Sequence, residues 1–143
     1  MRFREIEFES AEFQKELALR QQILRTPLGL NLLDEAIDSE RFQKHFGLFD
    51  SNEDLIACVV AILLSPKKAK FRQMAVSNAH QGRGYGRQII EELETHLARE
   101  GVEHLSLHAR LTAVGFYEKL GYTKVGSEFI EVSVPHVKME KRL

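Results

Sequence analysis

The sequence predicts an α+β domain in which a mixed, mostly antiparallel sheet is flanked by helices. Three observations carry that expectation. Strand-like segments at His45–Phe49, Leu55–Leu64 and Ala69–Val76 follow one another across short turns, as antiparallel neighbours do. A glycine-rich turn, Gln81 to Gly86, then links a strand to a helix and a further strand, which requires a locally parallel pair. Finally, a chain of 143 residues suits a single domain over 1–143, long enough to bury roughly two-thirds of its unfolded surface.

Taken in order, Arg2 to Glu9 alternates apolar Phe3, Ile6 and Phe8 with polar residues, the period of a half-solvated strand. Ser10 is placed to cap a helix whose apolar stripe is Phe13, Leu17, Leu19, Ile23 and Leu24. Thr26-Pro27-Leu28-Gly29 breaks it. An apolar patch at Leu30, Leu32 and Leu33 precedes an acidic stretch containing Asp34, Glu35, Asp38 and Glu40. The three strands follow, separated by Asp50-Ser51-Asn52 and by Ser65-Pro66-Lys67-Lys68. Beyond the glycine turn, a helix opens near Arg87, runs along Ile89, Ile90, Leu93 and Leu97, and ends near Gly101. Val102 to Ala109 is a strand, Thr112 to Leu120 a short helix closed by Gly121, and Phe129 to Met139 a final β-rich segment. The expected order is β-α-α-β-β-β-α-β-α-β, with room for an extra strand at Tyr122 to Val125.

Composition removes several function classes. The net charge is −1 with no basic block, so no electrostatic footprint for nucleic acid is expected. The longest apolar stretch, Leu55 to Leu64, is about half a membrane span, and Met1 to Ser10 lacks the apolar core of a signal peptide. A lone cysteine, Cys58, offers no disulfide framework, which points to a cytoplasmic setting and to packing rather than nucleophilic chemistry. His104 and His108 share a strand face but stand roughly 13 Å apart at ~3.3 Å per residue, too far for one metal, and no metal site is expected.

The glycine turn carries the chemistry. Alternate glycines let backbone N–H groups turn toward a ligand, and the helix N-terminus behind them favours an anion such as pyrophosphate. A P-loop would need Gly-Lys-Ser/Thr where Gly86 is followed by Arg87 and Gln88; a dinucleotide fingerprint would need a different glycine spacing. What remains is Gln/Arg-x-x-Gly-x-Gly/Ala, matched by Gln81, Gly84 and Gly86. A second pattern lies one helix and one strand later, Ala113-Val114-Gly115-Phe116-Tyr117-Glu118-Lys119-Leu120-Gly121-Tyr122.

Together these motifs resemble those of the GCN5-related N-acetyltransferase (GNAT) superfamily, over most of residues 55 to 143 and more loosely to the N-terminus. The resemblance implies the GNAT acyl-CoA N-acyltransferase fold, with splayed central parallel strands and acetyl-CoA as co-substrate between them. It places the backbone of Met74, Ala75 and Val76 along the pantetheine arm. Gln81, Gly82, Arg83, Gly84, Tyr85, Gly86 and Arg87 fall around the pyrophosphate, although Arg83 and Arg87 also suit plain surface. Phe116 and Lys119 become second-motif cofactor contacts, Phe116 serving equally well as an anchor of its helix. Tyr117 becomes the general acid that protonates departing coenzyme A, a phenol near pKa ~10 being protonated at neutral pH. Asn78 and Arg110 stand where many members have proline and asparagine.

The acceptor side is less legible. Glu131 and His136 are candidates for the base, in a run that resembles Glu-x-x-x-Pro-His-x-x-Met of small bacterial acetyltransferases. Pro135 between them implies a sheet edge or bulge. The acidic side chains between Pro27 and Arg41 either attract a cationic amine or form a solvated face. The expected activity is acetyl transfer to a small-molecule or peptide amine in a ternary complex. A non-catalytic acyl-CoA-binding module and a hydroxyl acceptor stay open. Homodimers occur in the family, and no segment here marks one.

Overall fold

The computed structural model describes residues 1–143. Its sheet contains β1 (Arg2–Ile6), β2 (Lys44–Phe49), β3 (Leu55–Ser65), β4 (Lys68–Val76), β5 (His104–Arg110), β6 (Thr123–Glu131) and β7 (Val134–Arg142), in the spatial order 1-2-3-4-5-7-6. Every neighbouring pair is antiparallel except β4–β5. The helices are α1 (Ala11–Arg20), α2 (Tyr85–Arg99) and α3 (Val114–Lys119). No helix is long and apolar enough to cross a membrane.

The unbroken apolar run of β3 follows from its place in the sheet. Ala57, Val59 and Ala61 face the main core with Ile89, Ile90, Leu93 and Leu97 of α2. Cys58 points the other way, onto Leu19 of α1 and Ala75. A central strand covered on both faces needs apolar residues at every position. Ser10 caps α1 as its spacing requires, its hydroxyl accepting from the Phe13 N–H at 3.2 Å.

Three expectations need correction. Gln21–Arg25 continue α1 as a π-helical turn, so Ile23 and Leu24 still pack against Leu19, Cys58 and Ala75 but also reach the cleft. The second helix expected before β2 is a series of 3₁₀ turns at Thr26–Leu28, Leu32–Asp34 and Ile37–Phe42. Nor is its acidic stretch a uniformly solvated face: of its four carboxylates, only Glu35 lines the cavity between β4 and β5. Glu35 pairs with Arg25 and Glu40 is buried against Arg20 and Arg72, leaving only Asp34 and Asp38 exposed. The C-terminal segment is a hairpin, with β6 and β7 joined at Val132 and Ser133, both at positive φ. The short strand anticipated at Tyr122 to Val125 is the start of β6. Pro135 lies one residue beyond the last β5–β7 pair, Arg110↔His136, where its missing N–H breaks no bond to β5.

The sheet opens between β4 and β5. Their pairing covers only Lys68↔His104, Ala69↔Leu105 and Lys70↔Ser106, after which the strands diverge. A bulge in β4 helps: Cys58 pairs with Ala75 and Val60 with Arg72, so Gln73 and Met74 stand opposite Val59 alone. Gln73 has φ 57°, the left-handed backbone that turns the strand at this point. Gln73 and Met74 therefore fall outside both ladders.

Candidate active site

The divergence creates two adjoining cavities. The first, about 400 Å³, is lined by Met74, Ala75 and Val76 of β4, by Gln81, Gly82, Gly84, Tyr85, Gly86 and Arg87 of the loop and α2, and by Phe116 and Tyr117 of α3. The second, about 410 Å³, lies deeper between β4, β5 and the β6–β7 turn. Met74, Ala113 and Tyr117 belong to both walls.

The loop geometry explains the glycine spacing. Gly84 is the N-cap of α2 at φ 85°, a conformation costly to a residue with a Cβ. No side chain caps the helix, so the first N–H groups of α2 keep their donor capacity at the positive end of its dipole. Gly86 is needed for closeness: a Cβ there would stand 3.3 Å from Phe116 Cζ and 3.6 Å from Val76 Cγ2. Gln81 braces the loop, its amide donating to the Val76 carbonyl at 3.0 Å. Arg87 ion-pairs with Glu91 on the helix surface. Arg83 and Lys119 are exposed and lie outside the cavity lining.

Tyr117 is 6% exposed, and its hydroxyl makes no hydrogen bond within the chain although it lines both cavities. Its ring packs on Phe71, Phe116 and Tyr122. Burial pushes its phenol well above the ordinary tyrosine range, so it stays protonated. Tyr122, the other motif tyrosine, is structural: its hydroxyl donates to Glu94 at 2.7 Å, and Lys141 holds the same carboxylate at 3.1 Å.

In the second cavity, Glu131 and His136 come together with His108. The His136 Nδ1 lies 2.8 Å from the Val134 carbonyl, which can only accept, so Nδ1 carries the proton and Nε2 presents its lone pair. That Nε2 is 3.8 Å from Glu131 Oε2, whose other oxygen is 2.8 Å from His108 Nδ1. Burial raises the Glu131 carboxyl, but the hydrogen bond to His108 and the nearby His136 and Lys70 outweigh it and hold the group below the usual carboxylate range.

His108 and Lys70 are cavity residues that motif reading misses, because no spacing links β4 to β5 in the sequence; Arg110, the position where many members have asparagine, lines the same cavity. Cys58 is fully buried, its thiol pushed far above the ordinary range by desolvation. Glu16, Glu40 and His45 cluster closely enough for a metal, yet Arg20 already bridges both carboxylates, at 2.8 Å to each. A cation at that spot would repel the guanidinium.

Sequence and fold comparisons agree with this geometry. The family model described as an acetyltransferase (GNAT) domain matches residues 16–143, which includes the loop, the bulged strand and α3. The chain belongs to the GNAT acetyltransferase family. Among curated relatives, an "Uncharacterized acetyltransferase in arcA 3'region" of Streptococcus pyogenes is 41% identical over 64 residues, 45% of this chain and 44% of the relative. "Uncharacterized protein YyaT" of Bacillus subtilis is 35% identical over 75 residues, 52% of this chain and 51% of that protein. The matched region thus spans about half the length of these relatives. Among solved structures, Escherichia coli ElaA superposes with TM-score 0.82 at 21% identity, covering 99% of both chains. An aminoglycoside 6'-N-acetyltransferase complexed with coenzyme A gives 0.79 at 17% identity, covering 99% of this chain and 97% of the other. At these identities the likeness establishes the GNAT fold.

Proposed function

We propose that this GNAT domain transfers the acetyl group of acetyl-CoA to an amine by direct attack in a ternary complex. The observation that carries the reading is Tyr117: a protonated, unpartnered hydroxyl at the junction of two cavities. The loop fits a pyrophosphate, since its glycines open space that side chains would fill and the head of α2 supplies N–H donors. The structural neighbour complexed with coenzyme A supports the same donor. Bound in the first cavity, acetyl-CoA would supply an activated thioester, directed by Met74, Ala75 and Val76 toward the second.

Each group of the chain then has a task. His136 Nε2 takes the proton that the acceptor ammonium must lose, and Glu131 stabilises the resulting imidazolium. The bulge takes the backbone of Gln73 and Met74 out of register with β3, and an N–H there would be the donor offered to the carbonyl oxygen as it gains negative charge. As the N–C bond forms and the C–S bond breaks, Tyr117 gives its proton to the sulfur, and the second proton shed by the attacking nitrogen returns through solvent to the tyrosinate. The products are the N-acetylated acceptor and coenzyme A thiol. Glu131, with its depressed basicity, suits the role of electrostatic partner better than that of the base.

Thiol release from acetyl-CoA across a panel of amines, run beside Tyr117→Phe, tests this. Loss of a general acid should lower kcat about 10²-fold or more, with acetyl-CoA affinity and thermal stability nearly unchanged. Retention of kcat within about threefold of wild type would remove Tyr117 from the chemistry. Binding of acetyl-CoA without discharge to any acceptor would favour the non-catalytic module instead.

A further inference from the structure

The second cavity carries more cationic than anionic side chains in its walls. Its walls present Arg25, Lys70, Arg72 and Arg110 against Glu35 and Glu131. Glu35 is taken by Arg25 through bonds of 2.6 and 3.0 Å. Arg72 is answered from behind by Glu40 at 2.8 Å. Arg110 has no carboxylate within ion-pair distance, and its only side-chain hydrogen bond is to the Leu24 carbonyl at 2.9 Å. Arg25 donates to that same carbonyl at 3.1 Å, so two guanidinium groups converge there, and the one carboxylate paired with either, Glu35, is bonded to Arg25. Lys70 likewise has no ion pair; its Nζ lies 3.4 Å from His108 Nδ1.

These unpaired cations are half-buried side chains at the cavity wall, not solvated surface. Burial lowers the pKa of both Arg110 and Lys70; Arg25 adds its repulsion at Arg110, and at Lys70 burial with Arg72 and Lys138 outweighs the opposing pull of Glu131, so each gains from an arriving negative charge. Arginine also offers a planar fork matched to carboxylate or phosphate. A polycationic acceptor would meet net repulsion in the same space.

Resting on the acetyltransferase reading above, we infer that the acceptor is a small amine that also bears an anionic group, carboxylate or phosphate, seated on Arg110 and Lys70. The anion holds one end of the acceptor, leaving its amine for the Tyr117 and His136 side of the cavity. Arg110 and Lys70 are thus specificity residues for the acceptor and have no part in holding the donor.

The test compares each charged amine with its uncharged counterpart: amino acids with their carboxamides, O-phosphoethanolamine with ethanolamine, glucosamine 6-phosphate with glucosamine, and spermidine as the cationic arm. The charged members should have kcat/KM higher by about tenfold or more, with the carboxylate and phosphate pairs identifying which anion fits. In Arg110→Gln and Lys70→Gln that preference should collapse through KM, acetyl-CoA affinity staying as in wild type; Arg110→Lys should restore part of it. Uncharged or cationic amines turned over as well as the anionic ones, or a preference that survives Arg110→Gln, would overturn the inference. The same pairs are followed by ligand-observed NMR, which needs no turnover. Selective binding of the charged members, lost in Arg110→Gln, supports the anion seat even in a catalytically silent protein. Equal binding of both members refutes it while leaving the acetyltransferase reading standing.

Discussion

Replacing Arg20 by methionine removes the cation that holds two buried carboxylates together. Arg20 is fully buried, bonded to Glu40 at 2.7 and 2.8 Å, to Glu16 at 2.8 Å and to Gln73 at 3.2 Å. Breaking a buried pair by removing one partner costs about 3–5 kcal/mol. Here Glu40 keeps Arg72 at 2.8 Å and Glu16 keeps His45 at 2.9 Å, so the lower end, about 3 kcal/mol, is expected. For a chain of this size that corresponds to a fall in Tm of about 6–12 °C. Urea unfolding at pH 7 followed by circular dichroism measures it. Without Arg20, Glu40 loses the partner that most lowers its pKa while its desolvation remains, so its carboxyl shifts upward and the deficit should shrink as pH falls toward 5. Arg20→Met combined with Glu40→Gln should regain about 1 kcal/mol or more, one uncompensated charge having been removed. A single-variant loss under about 1 kcal/mol, the scale of an exposed pair, would refute the claim that this network is buried and coupled.

Other perturbations separate backbone, charge and chemistry. His45 is desolvated, which disfavours its charged form, but Glu16 and the Glu40 carbonyl outweigh this and raise its pKa. Its contribution is therefore full below pH about 6.5 and lost as pH rises through the folded value, so the stability gap to His45→Gln should be wider at pH 6 than at pH 9 in urea unfolding. Gly84→Ala meets no atom within 4 Å but must adopt φ 85°; it should cost about 1–2 kcal/mol and weaken acetyl-CoA binding by calorimetry. Gly115→Ala, equally unobstructed but inside α3, should be neutral or stabilise by about 0.5–1 kcal/mol in the same unfolding assay.

The contrast between donor and acceptor sides shows what linear sequence can carry. The donor side is local: Gln81 to Gly86 and Phe116-Tyr117 are short runs whose residue types answer to backbone geometry, and the first cavity collects most of them. The acceptor side is built by the sheet. Lys70 on β4, His108 and Arg110 on β5 and Glu131 at the hairpin meet only because β4 and β5 part after Lys70↔Ser106. Glu16 and Arg20 resemble an ordinary exposed i,i+4 pair until β2 and the turn bearing Glu40 close over them. The π-helical turn at Gln21–Arg25 is also invisible to periodicity, although it brings Leu24 and Arg25 to the cavity wall.

Acetyl-CoA binding in the gap between β4 and β5 is the central requirement of the proposed function. A titration of ¹⁵N-labelled protein with acetyl-CoA measures this residue by residue. Amide shifts should concentrate at Met74 to Val76, at Gly82 to Arg87 and around Phe116-Tyr117, and should weaken in Gly84→Ala. Saturable shifts elsewhere in the sheet, or none at all, would contradict it.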